Sequence, residues 1–387
     1  MLLRHSSTGP AVRHLRARLA TLDLLDHPDT VSPAGVELFD DDVENAVRLF
    51  QQSRGLVVDG LVGPDTLRTM EEASRRLGDR LLYLSVNHPF VGDDVLMLQQ
   101  RLANMGFNVG RCDGIFGKRT ESGLRELQRN RILAVDGTCG PVTLRELERL
   151  ARTVVGGRPH ELREDEHLRR QGPSLSGKTV VIDPGHGGDD TGGVGNGLTE
   201  RDVAADIASQ LEGRLLAAGV TAYLTHGPAA NPGQQARAEA ANSTDADLLM
   251  SLHVDAQAST PAQGVATYYF GTAGSASVVG ERLAELVQRE IVARTGLVDG
   301  RTHPKTWELL RRTRMPAVRV EIGYLSNEQD AAALSTRAFR ATVADALLAA
   351  VQRLFLPEAL DPETGAFRLP MELTARIPTE LEQPSLQ

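Results

Sequence analysis

Two stretches of this chain carry the same residues 77 positions apart. Gln51 recurs as Gln128, each after a large apolar residue, Phe50 and Leu127. Asp59, Gly60, Gly63, Pro64, Thr66 and Leu67 recur as Asp136, Gly137, Gly140, Pro141, Thr143 and Leu144. Repetition of this kind makes each copy one structural unit, so the N-terminal part is committed to two similar small folds. Ahead of each copy lies an apolar stripe spaced 3, 4, 3: Val12, Leu15, Leu19 and Leu22, then Val95, Leu98, Leu102 and Met105. That spacing places four side chains on one helix face. The stripes are 83 apart, so the first copy is six residues longer, and the extra length falls in the turn-rich run from His27 to Gly35. Each copy predicts helix, loop, helix, Asp-Gly turn and short helix, with the Gly-Pro pair opening the last helix.

The 387 residues leave room for further domains. A chain 41% hydrophobic and 24% charged has a globular balance, which excludes wholesale disorder. The net charge of -9 argues against nucleic acid as a partner. Cys112 and Cys139 are the only cysteines, too few for a disulfide framework, and read as reduced thiols. No apolar run reaches the ~18 residues of a membrane helix. The residues after Met1 lack a signal peptide's apolar core, so the expected location is cytoplasmic, and cell-wall association would need another export route. The expected division is 1–76 and 83–153 for the helical modules, 154–177 for a charged linker, 178–356 for a third domain and 357–387 for a disordered tail. Thr374 and Thr379 in the tail read as ordinary solvated threonines.

From Lys178 the pattern changes. Apolar, β-branched runs at 179–183, 220–225, 246–252, 265–270 and 317–321 predict five strands. Helices are expected over 200–218, capped by Thr199, and over 237–241. Two more follow the stripes Leu283, Leu286, Val287, Ile291 and Phe339, Val343, Leu347, Ala350, Leu354. Strands alternating with helices predict an α/β domain with a mainly parallel twisted sheet and helices on both faces.

Such sheets gather ligands at the C-terminal ends of their strands. His186 follows the first predicted strand, His253 follows the third, Glu321 closes the fifth, and Glu200 opens the helix after a glycine-rich loop. Two imidazoles and a carboxylate suit a catalytic zinc that keeps a position for water. A further carboxylate at the same edge can take that water's proton. His226 and His303 remain alternative ligands. There is no H-E-x-x-H, which disfavours a zincin protease, and the glycine-rich run 187–197 lacks the lysine of a phosphate-binding loop. Trp307, the single tryptophan, reads as core or cleft wall.

The repeats resemble the peptidoglycan-binding helical domain family. The second copy carries Leu98-Gln99, Asp113-Gly114-Ile115-Phe116-Gly117, Leu127-Gln128 and Asp136-Gly137. The first carries Val47, Phe50-Gln51, Asp59-Gly60 and Val62-Gly63, but has Leu38-Phe39-Asp40 in place of a D-G-x-F-G turn. The resemblance implies modules that bind the glycan–peptide polymer of a bacterial cell wall.

Residues 178–355 resemble the zinc-dependent N-acetylmuramoyl-L-alanine amidase family, type 3. The matches run from Val181 to Gly188, through Glu200-Arg201-Asp202, Arg237, Ala241-Asn242 and Ser251-Leu252-His253, to Glu321 through Asn327. The resemblance implies a zinc ion (Zn2+) held by His186, Glu200 and His253, with Glu321 as catalytic base and acid. It implies hydrolysis of the amide between N-acetylmuramic acid and L-alanine in peptidoglycan or its muropeptide fragments. His226, Asp255 and the stretch from Arg301 to Trp307 depart from the family pattern, but none of these is an implied ligand. The whole layout is also similar to actinobacterial cytoplasmic amidase-like regulators of cell-wall precursor synthesis. Two readings therefore stand: an amidase, or a regulator that binds a precursor or a cell-wall biosynthesis partner without hydrolysis.

Overall fold

A buried glutamine organises each repeat. The computed structural model describes residues 2–26, 37–151, 159–256, 262–272, 275–357 and 360–366; the run from His27 to Gly35 and most of the tail, with Thr374 and Thr379, lie outside them. The first module contains α1 (Pro10–Thr21), α2 (Asp41–Ser53) and α3 (Pro64–Ala73); the second contains α4 (Asp93–Asn104), α5 (Lys118–Asn130) and α6 (Pro141–Ala151). Gln51 on α2 donates from Nε2 to Asp59 Oδ1 (2.7 Å) and Leu61 O (2.9 Å), and its Oε1 accepts from Gly60 N (2.9 Å). Gln128 on α5 repeats this with Asp136 (2.8 Å), Thr138 O (3.1 Å) and Gly137 N (2.9 Å). Gln99 on α4 repeats it again with Asp113 (2.9 Å), Ile115 O (3.1 Å) and Gly114 N (2.7 Å).

The amide thus ties a helix to the backbone of an Asp-Gly turn. Gly60, Gly114 and Gly137 all have φ between 72° and 76°, where a side chain would be strained. At the fourth equivalent place, on α1, Arg16 takes the role: it donates to Leu38 O (3.1 Å) and pairs with Asp40. This is how the first copy tolerates Leu38-Phe39-Asp40 in place of the usual turn. The Leu-Gln and Asp-Gly signature is therefore a device for closing the fold, because the amides are buried and occupied. Around it pack two separate cores. One gathers Val12, Leu15, Phe39, Val43, Phe50 and Met70, the other Leu98, Leu102, Phe116, Leu127, Cys112 and Cys139. Each fully buried aliphatic or aromatic side chain contributes roughly 1.5–3 kcal/mol.

The charged segment forms α7 (Pro159–Arg170) and is only partly solvated. Its Leu168, with Leu175 beyond it, is buried in the third domain's core. Glu164 accepts from Ser277 Oγ (2.6 Å) and Val278 N (2.9 Å).

The third domain is an α/β unit. Its elements begin with β1 (Thr179–Pro184), the hairpin β2 (Val194–Gly195) and β3 (Leu198–Thr199), α8 (Glu200–Ala217), β4 (Thr221–Leu224) and α9 (Gln234–Asn242). They continue with β5 (Leu248–Asp255), β6 (Val265–Thr272), β7 (Ser275–Ala276), α10 (Val278–Thr295), β8 (Asp299–Lys305), α11 (Glu308–Arg312), β9 (Ala317–Tyr324), α12 (Glu328–Ser335) and α13 (Arg337–Phe355). The sheet runs β4-β1-β5-β9-β6, with β8 and β7 on β6. β4, β1, β5 and β9 are parallel; β6 runs antiparallel to β9. Alternation along the strands splits the core. Val180, Ile182, Val318 and Val320 face α8, α10 and α13, whereas Val181, Leu249 and Ala317 face α9 and α11. The expected five strands and helices on both faces are present; the polar strand β8 and the two-residue strands β2, β3 and β7 are additional. Among the described residues no helix is long and apolar enough to cross a membrane.

Candidate metal centre

The strand ends put the polar residues where parallel sheets hold ligands. β1 stops at Pro184, and the chain turns so sharply that His186 has φ 63°, in the left-handed region. A non-glycine residue there is strained and must be held by its surroundings. Its carbonyl contacts His226 Nε2 (2.7 Å), while Arg237 Nη1 donates to Pro184 O (2.7 Å) and Asp183 Oδ1 (3.0 Å). Asp183, fully buried, also accepts from Thr225 Oγ1 (2.6 Å) and Ser251 Oγ (2.7 Å), so its charge is paired and hydrogen-bonded. Glu200 is the first residue of α8, whose start Thr199 caps.

These elements bring His186, Glu200 and His253 together, with one ligand atom of each lying within 4.8 Å of the others. Glu200 bridges the two rings. Its Oε1 is 2.7 Å from His253 Nδ1 and its Oε2 is 3.1 Å from His186 Nε2. His186 Nδ1 lies 2.8 Å from Asp190 Oδ2, which Asn231 also reaches. A Cβ on Gly185 would sit 2.5 Å from His253 Nδ1, and one on Gly192 would sit 2.6 Å from Glu200 Oε2. Only glycine leaves the cluster this room.

Burial alone would push the Glu200 carboxyl up, but the bonds to His186 and His253 hold it well below the usual range. The Glu200 hydrogen bond, aided by Asp190, raises His186. Burial, with help from Arg319, lowers His253 and keeps that imidazole neutral.

The cluster fits a metal. Two imidazoles and an ionised carboxylate form a zinc donor set. His253 Nε2 is buried without a hydrogen-bond partner, an orphan atom that calls for a ligand. Asp190, on His186 Nδ1, stands where an outer carboxylate would fix a liganding ring. Glu321 lies on β9 directly across the ladder from His253, buried at the same edge. Its Oε1 accepts from Arg319 Nη2 (2.6 Å) and Nε (2.8 Å).

All four residues singled out in the sequence meet at this edge. The two alternative histidines do not join them. His226 braces the His186 carbonyl, and His303 bonds Gly300 O on the far strand β8. Asp190 and Arg319 escaped sequence reasoning. A carboxylate four residues after His186, and a charge two residues before Glu321 on the same strand face, were the available signals.

Residues 180–353 match the family model described as N-acetylmuramoyl-L-alanine amidase, and residues 8–70 and 91–147 match that of a putative peptidoglycan binding domain. The N-acetylmuramoyl-L-alanine amidase CwlM of Mycobacterium tuberculosis is 47% identical over 374 residues, covering 94% of this chain and 92% of that protein. The amidase LytC of Bacillus subtilis is 34% identical over 171 residues, 44% of this chain and 34% of its own length. Among solved structures, the N-acetylmuramoyl-L-alanine amidase of Clostridium difficile 630 is 28% identical, with a TM-score of 0.43, over 46% of this chain and 96% of the other.

Proposed function

This chain belongs to the N-acetylmuramoyl-L-alanine amidase family, and from that premise we propose that its α/β domain is a zinc-dependent hydrolase of the amide joining N-acetylmuramic acid to L-alanine. The observation that carries the zinc requirement is the buried, unpartnered His253 Nε2 beside a carboxylate that bridges two imidazoles. His186, Glu200 and His253 would hold the metal, and Asp190 would fix the His186 ring. A zinc bound there would supply Lewis acidity for the scissile carbonyl and for water.

The protein's own residues move the proton. Glu321 takes a proton from the attacking water on the carboxylate oxygen that Arg319 leaves free, and then gives it to the departing nitrogen of L-alanine. The carbon–nitrogen bond breaks, the lactyl group leaves as a carboxylate and the stem peptide leaves with a free amine. Arg319 fixes the other oxygen of Glu321 and so holds the base in one orientation. The substrate is peptidoglycan or a soluble muropeptide. The modules at 1–76 and 83–153 bind the same polymer, and the domain at 178–356 cuts it. The test is peptide release from a soluble muropeptide by zinc-loaded protein. Glu321→Ala should abolish release while leaving zinc content unchanged; equal release by wild type and variant would contradict the assignment.

A further inference from the structure

The two helical modules and the amidase domain enclose a cleft of about 730 Å³. That is the size of a small-ligand site. One strap of the amidase domain, from Lys305 to Thr313, fastens all three bodies. Thr306 Oγ1 donates to Arg54 O and Lys305 Nζ to Leu56 O (3.1 Å) on the first module. Arg311 pairs with Glu72 of the first module and donates from Nε to Asp113 O (2.6 Å) of the second, whose Arg111 donates to Thr313 O. Arg54 and Asp93 join the modules to each other at 2.8 Å. The cleft is therefore built before any ligand arrives.

Its charges are nearly spent. Arg54, Arg68, Arg311 and Arg312 each pair with an acid that also lines the cleft: Asp93, Asp65, Glu72 and Glu308. Arg319 differs. Its ion-pair partner among the described residues is Glu321, reached through Nε and Nη2, and its Nη1 makes no ion pair. Its guanidinium lies 4.6 Å from the ring of Trp307, which also lines the cleft. Arg319 thus connects the cleft to the catalytic edge, and its Nη1 is the guanidinium nitrogen left to donate to a ligand carboxylate.

We propose that this junction cleft binds the peptide part of the muropeptide, and that Arg319 takes one of its carboxylates while positioning Glu321. The ligand class is an acidic peptide attached to a sugar, with Trp307 as the apolar surface beneath it. This rests on the amidase reading for the identity of the ligand. It makes the modules walls of the substrate site as well as anchors.

Trp307 is the only tryptophan in the chain, so its fluorescence reports on the cleft directly. The full chain in EDTA, which prevents turnover, is titrated with N-acetylmuramoyl-L-alanyl-D-isoglutamine and with the amide of its terminal carboxylate. The expected result is a saturable change, with the acid bound roughly tenfold or more tightly than the amide. Arg319→Ala should erase that preference and Arg319→Lys should restore part of it, which a merely structural role would not do. Thr69→Phe, which fills the cleft from the first module, should weaken both ligands alike. Equal binding of acid and amide by the wild type, or a preference that survives Arg319→Ala, would overturn the proposal. So would the absence of a saturable change in protein that hydrolyses the acid once zinc is restored. Discrimination between acid and amide without hydrolysis would instead sink the amidase reading and leave the cleft standing.

Discussion

Glu200 Oε1 lies 2.7 Å from His253 Nδ1, in a pocket where both side chains are almost wholly buried. Its other oxygen reaches His186, so one carboxylate organises the whole cluster. Replacing it should remove the metal. Glu200→Ala is expected to weaken zinc retention by more than about 100-fold, beyond the usual effect of losing an outer partner. Zinc content after dialysis against a graded chelator checks this, with circular dichroism confirming the fold.

Asp190 should matter less, and in a different way. It touches His186 Nδ1 and is half exposed. Asp190→Ala should weaken zinc binding by about 10–100-fold with the fold unchanged. A variant that binds zinc as tightly as wild type would show that the ring needs no such support.

The pH dependence follows from the same contacts. His186 is raised above its ordinary value, chiefly by its hydrogen bond to Glu200, so without metal it keeps its proton to higher pH than a free imidazole does. A protonated imidazole cannot bind zinc, so affinity should fall about tenfold per pH unit below that raised value. Stability of the metal-free protein takes the matching signs. The His186 contribution is complete below its unfolded pKa of ~6.5 and is lost as pH rises through the folded value. Glu200 is depressed, so its contribution is complete above ~4.3 and is lost as pH falls through the folded value. Zinc titrations and urea midpoints across pH read the two effects separately.

Much of this was legible in the sequence, and the reasons are local. The 77-residue repeat and the 3, 4, 3 stripes fix the modules, because each stripe closes one core. The four site residues stand at predicted strand ends or a helix start, so a parallel sheet has to bring them to one edge. Three features were hidden. Arg16 replaces a glutamine that neither its position nor its chemistry announces. β8 is polar because it is an edge strand, so it carries no apolar run. Arg319 has a local partner in Glu321, but its contact with Trp307 and its place on the cleft come from the tertiary fold.

Gln99 tests the reading of the repeat signature. It bonds Asp113, Ile115 O and Gly114 N from a buried position. Gln99→Leu would leave those groups unpaired and should destabilise the second module by about 3 kcal/mol. The shift should show in the denaturant midpoint, and zinc content of the folded protein should not change. A neutral substitution would contradict the fold-closing role of the glutamine.

Cys112 and Cys139 sit in the second module's core, where burial pushes both thiols up to about 12. Neither should react with a thiol reagent at pH 8 in the native state, and both should react on unfolding. Rapid labelling of native protein would contradict the packing of that core.

Zinc-dependent amide hydrolysis is tested most directly by following the oxygen of the attacking water. Zinc-loaded protein is given a soluble muropeptide in water labelled with heavy oxygen, and the products are weighed by mass spectrometry. The expected products are a stem peptide beginning with unlabelled L-alanine and a muramic acid whose lactyl carboxylate carries one heavy oxygen, with neither product formed by Glu321→Ala. No release from zinc-loaded, folded protein, or release of a peptide that begins at any other residue, would contradict this activity.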